Sequence, residues 1–244
     1  IEMGANHQGE IRFLARIAEP DYGIITNIGM AHLEGFGSYE NVIQTKNELY
    51  NFIRETNGKL FYNETNELLS KLSENTQRIA YGATRNNINV SILESTPTLR
   101  LKLKTETFET DINTNLRGAY NLENIQAAIC IANYFNVSMK DIALAIEDYQ
   151  PTNNRSQLSH TDKNTLILDM YNANPTSMAL AISDFQNSSF ERKVVILGDM
   201  KELGDYSDTE HKKILQILSE SNFERIICVG EAFCKNEHNF PEFN

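Results

Sequence analysis

An apolar run from Tyr22 to Ile28 stops at Gly29, and this interruption constrains the fold more than any average over the chain. A run of that length, bounded by a glycine, fits a strand buried in a parallel sheet. Beyond it come His32, a turn rich in glycine (Gly35, Gly37) and a segment from Ser38 to Arg54 with helical spacing. Val42, Ile43, Leu49 and Phe52 share the apolar face of that helix, Ser38 suits its N-cap, and Lys46 lies within it. A strand that ends, a histidine just past it, a loop and a lysine on the next helix is a normal layout for an α/β site, because such sites gather at the carboxyl ends of parallel strands. On composition alone, a surface histidine and a solvated lysine is the commoner reading of the same residues.

The alternation recurs along the chain. Residues 1–4 read as the end of a buried strand, and His7 to Ile17 as a helix closed by Pro20. Lys59–Tyr62 and Arg78–Tyr81 read as short strands, with Glu64–Leu72 a helix between them. From Ile88 to Leu116 the texture changes: Val90, Ile92, Leu99, Leu101, Leu103, Phe108 and Ile112 alternate with polar residues, as half-solvated antiparallel strands do. Helices are expected at Asn121–Phe135 and, capped by Ser138, at Met139–Tyr149. The polar, proline-containing stretch from Gln150 to Asn154 is the best candidate for a boundary. After it, strands at Thr165–Met170, Lys193–Leu197 and Arg225–Val229 alternate with helices at Pro175–Phe185 and Ser207–Ser219. The expected fold class is therefore α/β. Residues 1–150 form a mostly parallel sheet domain flanked by helices with an antiparallel β insertion, and residues 151–244 a Rossmann-like α/β domain.

The 244 residues carry a formal net charge of −11, which argues against a nucleic-acid or anionic-membrane surface and leaves room for local phosphate pockets. Cys130, Cys228 and Cys234 are an odd number without zinc-type spacing, and the first two fall in apolar runs, as buried thiols do. No apolar run approaches a membrane span and no signal peptide is evident, so a reduced, soluble, cytoplasmic protein is expected. The chain starts Ile-Glu-Met-Gly and ends Asn-Phe-Pro-Glu-Phe-Asn, and the expectation is a fragment of a longer protein.

Four clusters carry chemistry: Glu2 with Asn6 and His7; His32 with Lys46; Gly118-Ala119-Tyr120-Asn121 at a helix start; and the amide-rich turn Asp169-Met170-Tyr171-Asn172-Ala173-Asn174-Pro175. Each alone also reads as ordinary turn chemistry. Their shared place at strand ends suggests one composite site.

Together these motifs resemble the Mur ligase family. The resemblance rests on Glu2-Met3-Gly4-Ala5-Asn6-His7, Thr26-Asn27-Ile28-Gly29 with Ala31-His32-Leu33-Glu34-Gly35-Phe36-Gly37, and Lys46 with Glu48. It continues with Gly118 to Asn124, Arg155, Tyr171-Asn172-Ala173-Asn174-Pro175 with Ser177-Met178, and Gly198-Asp199-Met200-Lys201-Glu202-Leu203-Gly204, in family order over nearly the whole chain. The H-L-E-G-F-G, Y-N-A-N and G-D-M-x-E-L-G segments point to the dipeptide-adding branch. The resemblance implies an ATP-dependent ligase of cytoplasmic peptidoglycan-precursor synthesis, expected to be monomeric. It would join D-alanyl-D-alanine to a UDP-N-acetylmuramoyl-tripeptide through an acyl phosphate.

The resemblance also implies roles for single residues. Glu2 and His32 would line a Mg²⁺ site beside the γ-phosphate, where metal and cationic donors absorb the crowded negative charge. Lys46 occupies the position of the family's carbamylated lysine; a carbamate is a hard oxygen ligand for Mg²⁺, whereas an ammonium repels the ion. An unmodified Lys46 paired with a phosphate is the alternative. Asn121 matches the asparagine at the adenine end of ATP, Arg155 an arginine that reaches the phosphates, and Asp169 the acid that binds the ribose. Asp169 as a turn cap is nearly as good a reading. Tyr171, Asn172 and Asn174 would hold or shape the site for D-alanyl-D-alanine, and Asn6 and His7 would face the UDP-sugar peptide. His211 reads as structural.

Two departures matter. Asn154 stands where the family usually has glycine before the arginine, and no G-x-x-x-x-G-K-S/T loop occurs anywhere in the sequence. In the family that P-loop lies upstream of the position of Glu2, so truncation is the expected explanation. The 244-residue chain alone is then expected to bind ATP weakly and to be inactive as a ligase. A sibling ligase or folylpolyglutamate synthase adding another amino acid, and a non-catalytic nucleotide- or peptide-binding module, remain open alternatives at this level.

Overall fold

The computed structural model describes residues 1–82, 87–152, 154–237 and 240. In chain order the elements are α1 (Glu10–Ala18), β1 (Tyr22–Ile24), α2 (Leu33–Phe36), α3 (Tyr39–Glu55), β2 (Lys59–Asn63), α4 (Glu67–Leu72), β3 (Gln77–Tyr81), β4 (Asn89–Glu94), β5 (Arg100–Lys104), β6 (Glu109–Asn113), α5 (Asn121–Tyr134) and α6 (Met139–Asp148). They continue with β7 (Gln157–His160), β8 (Thr165–Leu168), α7 (Pro175–Asn187), β9 (Val194–Gly198), a 3₁₀ turn at Gly204–Tyr206, α8 (Ser207–Ser219), β10 (Arg225–Val229) and α9 (Glu231–Glu237). The chain separates into two compact units: residues 1–28 with 38–150, and residues 29–37 with 151–244. Among the described residues, no helix is long and apolar enough to cross a membrane.

In the first unit β1, β2 and β3 form a parallel sheet in that order, with Ile24 beside Phe61 and Phe61 beside Ile79. Successive side chains of β2 serve opposite faces. Leu60 packs with Ile25, Tyr50, Ile53 and Leu69, and Phe61 with Tyr81, Ala127 and Cys130. Burial on both faces is why this strand is an unbroken apolar run in sequence. Gly58 precedes it because a Cβ there would meet the Asp21 carbonyl oxygen at 2.6 Å, the same oxygen that accepts the Lys59 N–H at 2.9 Å.

The expected antiparallel insertion is β4-β5-β6. Leu99, Leu101, Leu103 and Ile112 are fully buried on the inner side against Ile125 and Ile129 of α5 and Ile142 and Ala143 of α6. On the outer side Arg100 pairs with Asp111 at 3.0 Å and Lys102 with Glu109 at 3.2 Å. Ile125 and Ile129 of α5 thus face the antiparallel sheet, while Ala127 and Cys130 face the parallel one. That double packing explains the apolar character of α5 around most of its circumference.

In the second unit β9 and β10 pair in parallel, Val194 beside Arg225 through Gly198 beside Val229, with α8 as the crossover. His211 of α8 is fully buried and fully satisfied: Nε2 accepts the Met200 N–H at 3.0 Å and Nδ1–H donates to the Ser207 carbonyl at 2.7 Å. Asp199, just past β9, caps α9 by accepting the Ala232 and Phe233 N–H groups, both at 3.0 Å. Asn174 caps α7 in a capping box with Ser177, with Pro175 at the first helical position.

The structure departs from the sequence reading in a few places. Residues 1–4 form no strand, and Ile1 is fully exposed. β1 ends at Ile24 rather than Ile28, since among the described residues it pairs with β2 alone, over three positions. β7, which forms a hairpin with β8, was not anticipated because Gln157-Leu158-Ser159-His160 has only one apolar residue. The short helices α2 and α9 also lay outside the expectations. Asn153, within the expected boundary stretch, lies outside the described residues.

Candidate functional site

A cavity of ≈ 550 Å³ in the first unit runs along β1 and the residues that follow it, with Glu2, Thr26, Asn27 and Lys46 in its lining. Lys46 reaches it because α3 buries its neighbours: Val42, Thr45, Tyr50 and Ile53 point into the core, Ser38 accepts the Asn41 N–H at 3.2 Å as the N-cap, and Thr45 Oγ1 donates to the Asn41 carbonyl at 2.8 Å. Glu2 comes from the irregular segment before α1 and is exposed. The two residues share this cavity, one supplying a carboxylate and the other a primary amine.

Two further segments of this unit, one before α1 and one at the start of α5, carry expected site residues. Glu10 accepts the backbone N–H groups of Asn6 at 2.7 Å and His7 at 2.9 Å, and these bonds hold its carboxyl below the usual range. The Asn6 and His7 side chains remain exposed. At the start of α5, the Asn121 amide donates to the Arg117 carbonyl at 2.6 Å and its oxygen accepts from Asn124 at 3.0 Å, which fixes the side chain's orientation.

The second unit gathers the rest. Arg155 lies with its guanidinium carbon 4.0 Å from the centroid of the Tyr171 ring. Asp169 accepts the Ser156 N–H at 3.2 Å. Partial removal of water pushes the Asp169 carboxyl above its usual range, against the opposing pull of that N–H and of the Arg155 charge. Arg155, Asp169 and Tyr171 are therefore neighbours. The turn that presents them has Asn154 at φ 54° and Ser156 at φ 50°, and the Asn154 carbonyl accepts the Met170 N–H at 2.8 Å. Asparagine tolerates this left-handed conformation better than most residues, so the family's glycine is not required here. Asn174 is spent on capping α7. Asn172 is exposed in the same turn.

His32 sits in the second unit on residues 29–37, at the N-cap of α2, with Nδ1 bonded to the Glu202 carboxylate. Glu202, which bonds His32, and Glu48, which accepts the Gly9 and Arg12 N–H groups, carry no role of their own in a sequence reading, though both lie inside recognisable motifs. The groups they bond lie 170 and 39 positions away, so sequence alone does not distinguish either carboxylate from a solvated surface acid.

Among the described residues no three His, Cys, Asp or Glu side chains gather into a metal-binding group. A cation at Glu2 would therefore draw its other ligands from a modified Lys46, from phosphate oxygens or from water. The pairing of one carboxylate with one amine that can become a carbamate fits a hard divalent ion.

A parallel α/β unit bearing an antiparallel insertion, joined in sequence to a smaller α/β unit, defines a two-part α/β protein. Residues 1–132 match the Mur ligase middle domain, and residues 154–239 the Mur ligase glutamate ligase domain. The chain belongs to the Mur ligase family. It is 34% identical over 237 residues to the UDP-N-acetylmuramoyl-tripeptide–D-alanyl-D-alanine ligase of Bacillus subtilis (strain 168), covering 95% of this chain and 50% of that protein. Crystal structure I of MurF from Acinetobacter baumannii superposes with a TM-score of 0.83 at 29% identity, over 95% of this chain and 51% of that one. The MurF ligase from Thermotoga maritima in complex with ADP shares the fold, with a TM-score of 0.79 at 21% identity over 93% of this chain and 56% of that one. The chain spans about half the length of the curated relatives it matches.

Proposed function

We propose that this chain is the middle and C-terminal part of an ATP- and Mg²⁺-dependent ligase that adds D-alanyl-D-alanine to UDP-N-acetylmuramoyl-tripeptide, acting as a monomer in the cytoplasm. Residues 1–150 serve as the ATPase part and residues 151–244 as part of the C-terminal domain. The γ-phosphoryl group passes to the tripeptide carboxylate: a carbonyl carbon–oxygen–phosphorus link forms and the bond from phosphorus to the ADP oxygen breaks. The dipeptide amine then attacks the carbonyl carbon, loses a proton, and phosphate leaves with its carbon–oxygen bond. Negative oxygens crowd together at every step, so their neutralisation is the main task of the protein.

The observation that carries this reading is the shared cavity of Glu2 and Lys46. Lys46 as a carbamate and Glu2 as a carboxylate would supply oxygens for Mg²⁺, and the family resemblance assigns His32 to metal binding as well. Arg155 offers a planar fork to phosphate oxygens, Asp169 binds the ribose and Asn121 the adenine end. Tyr171, Asn172 and Asn174 shape the dipeptide site, and Asn6 and His7 face the UDP-sugar peptide. The relatives' names, which specify this dipeptide, support the choice of substrate.

Hydroxylamine trapping tests the intermediate. The full-length protein with UDP-tripeptide, ATP and Mg²⁺, but no dipeptide, is expected to yield the tripeptide hydroxamate, and Lys46→Ala to abolish it. Failure of the unaltered protein to form hydroxamate would overturn the acyl-phosphate route.

A further inference from the structure

We propose that Glu202 is the positioning residue for His32: it fixes the proton on Nδ1 and turns Nε2 outward as the nitrogen left to hold a cation. This deepens the metal-site reading above and rests on it. The two residues lie 170 positions apart in sequence, yet both belong to the second compact unit, where His32 Nδ1 meets the Glu202 carboxylate. A carboxylate oxygen can only accept, so the hydrogen in this bond belongs to the imidazole. With Nδ1 protonated, a neutral ring presents its lone pair at Nε2 alone, and Nε2 is the form in which histidine commonly binds metals. Carboxylates that take the second N–H of a ligating histidine set both its tautomer and its ring orientation.

The backbone is arranged for this contact. His32 and Glu202 both adopt left-handed conformations, at φ 56° and φ 59°, which neither side chain favours. The Glu202 carbonyl accepts the Glu34 N–H at 3.0 Å, clasping α2 to the loop that carries Glu202. Gly204 lets the two segments approach: a Cβ there would lie 3.3 Å from the Glu34 Cα. The main-chain clasp sets the distance, and the side-chain bond sets the ring. The G-D-M-x-E-L-G segment thus acquires two separate tasks, since its Asp199 caps α9 while its Glu202 reaches His32.

Full-length protein labelled with ¹⁵N in the histidine rings tests the proposal, with His32 signals assigned through His32→Gln. Unaltered protein is expected to show His32 in the Nδ1–H form, and Mn²⁺ with a non-hydrolysable ATP analogue to broaden the His32 ring signals. Glu202→Asn keeps a residue that tolerates φ 59° and withdraws the acceptor; it is expected to give a mixture of tautomers and to raise the Kd for Mn²⁺ about 10-fold or more. Glu202→Gln retains an acceptor oxygen at the same reach and is expected to restore the Nδ1–H form. A tautomer and Mn²⁺ affinity unchanged in Glu202→Asn would overturn the inference while leaving the metal reading intact. Unaltered protein whose His32 signals ignore Mn²⁺ would overturn the metal reading, and this inference with it.

Discussion

Glu48 of α3 accepts the backbone N–H of Gly9 at 2.7 Å through one carboxylate oxygen, while its other oxygen accepts the Arg12 N–H at 2.9 Å. These are orphan donors at the start of α1, satisfied from another helix rather than from the usual N-cap, since Gly9 has no side chain to offer. The helix that follows Glu2 is thereby tied to the helix that carries Lys46.

Removing that tie has a measurable cost. Glu48→Ala is expected to lower the free energy of unfolding by about 1–2 kcal/mol, the range for a lost cap with a charged acceptor. Urea denaturation should show a lower midpoint with an unchanged slope. An unchanged midpoint would mean that water replaces the carboxylate without loss.

Acid should act on α8. The Lys212 ammonium, bonded to Asp208 at 2.7 Å, together with Asn236 and the Lys235 charge, lowers the Asp208 carboxyl to about 2 from its ordinary 3.8. A carboxyl depressed by folding stabilises the native state above its unfolded value, and that contribution is lost as pH falls through the folded value. The Asp208 contribution is thus complete above about pH 4 and fades towards pH 2. Asp208→Asn should flatten stability against pH across that window alone, as followed by urea midpoints from pH 2 to 6. A curve parallel to that of the unaltered protein would count against the pairing.

The Arg155 guanidinium rests over Tyr171, whose ring is otherwise exposed. A cation–π contact at an exposed position is worth about 0.5–1 kcal/mol, so Tyr171→Ala in the full-length protein should raise KM for ATP about 2- to 5-fold. Tyr171→Phe should leave it nearly unchanged, because the ring face remains. Equal losses in both variants would assign the effect to the hydroxyl instead.

Much of the fold was legible in the sequence because burial writes itself into periodicity. The continuous run Leu60-Phe61-Tyr62 marks a strand covered on both faces, and the alternation Leu99, Leu101, Leu103 marks one covered on a single face. Ser38 and Ser138 announced two helix starts through their caps. The hairpin strand β7 was not legible, since its pairing with β8 rests on main-chain bonds that Gln157, Ser159 and His160 do not advertise. The same limit applied to the site. Motif residues such as Lys46 and His32 could be picked out, but the bonds from Glu48 to the Gly9 N–H and from Glu202 to His32 span 39 and 170 positions, and only folding reveals them.

The central claim is tested most directly by phosphate release from the full-length protein supplied with ATP, Mg²⁺ and UDP-N-acetylmuramoyl-tripeptide while the amine acceptor is varied. Release matched one-to-one by ligated product with D-alanyl-D-alanine, and absent with glutamate or diaminopimelate, is the predicted result. Release that follows glutamate or diaminopimelate instead, or no release with any acceptor, would contradict it.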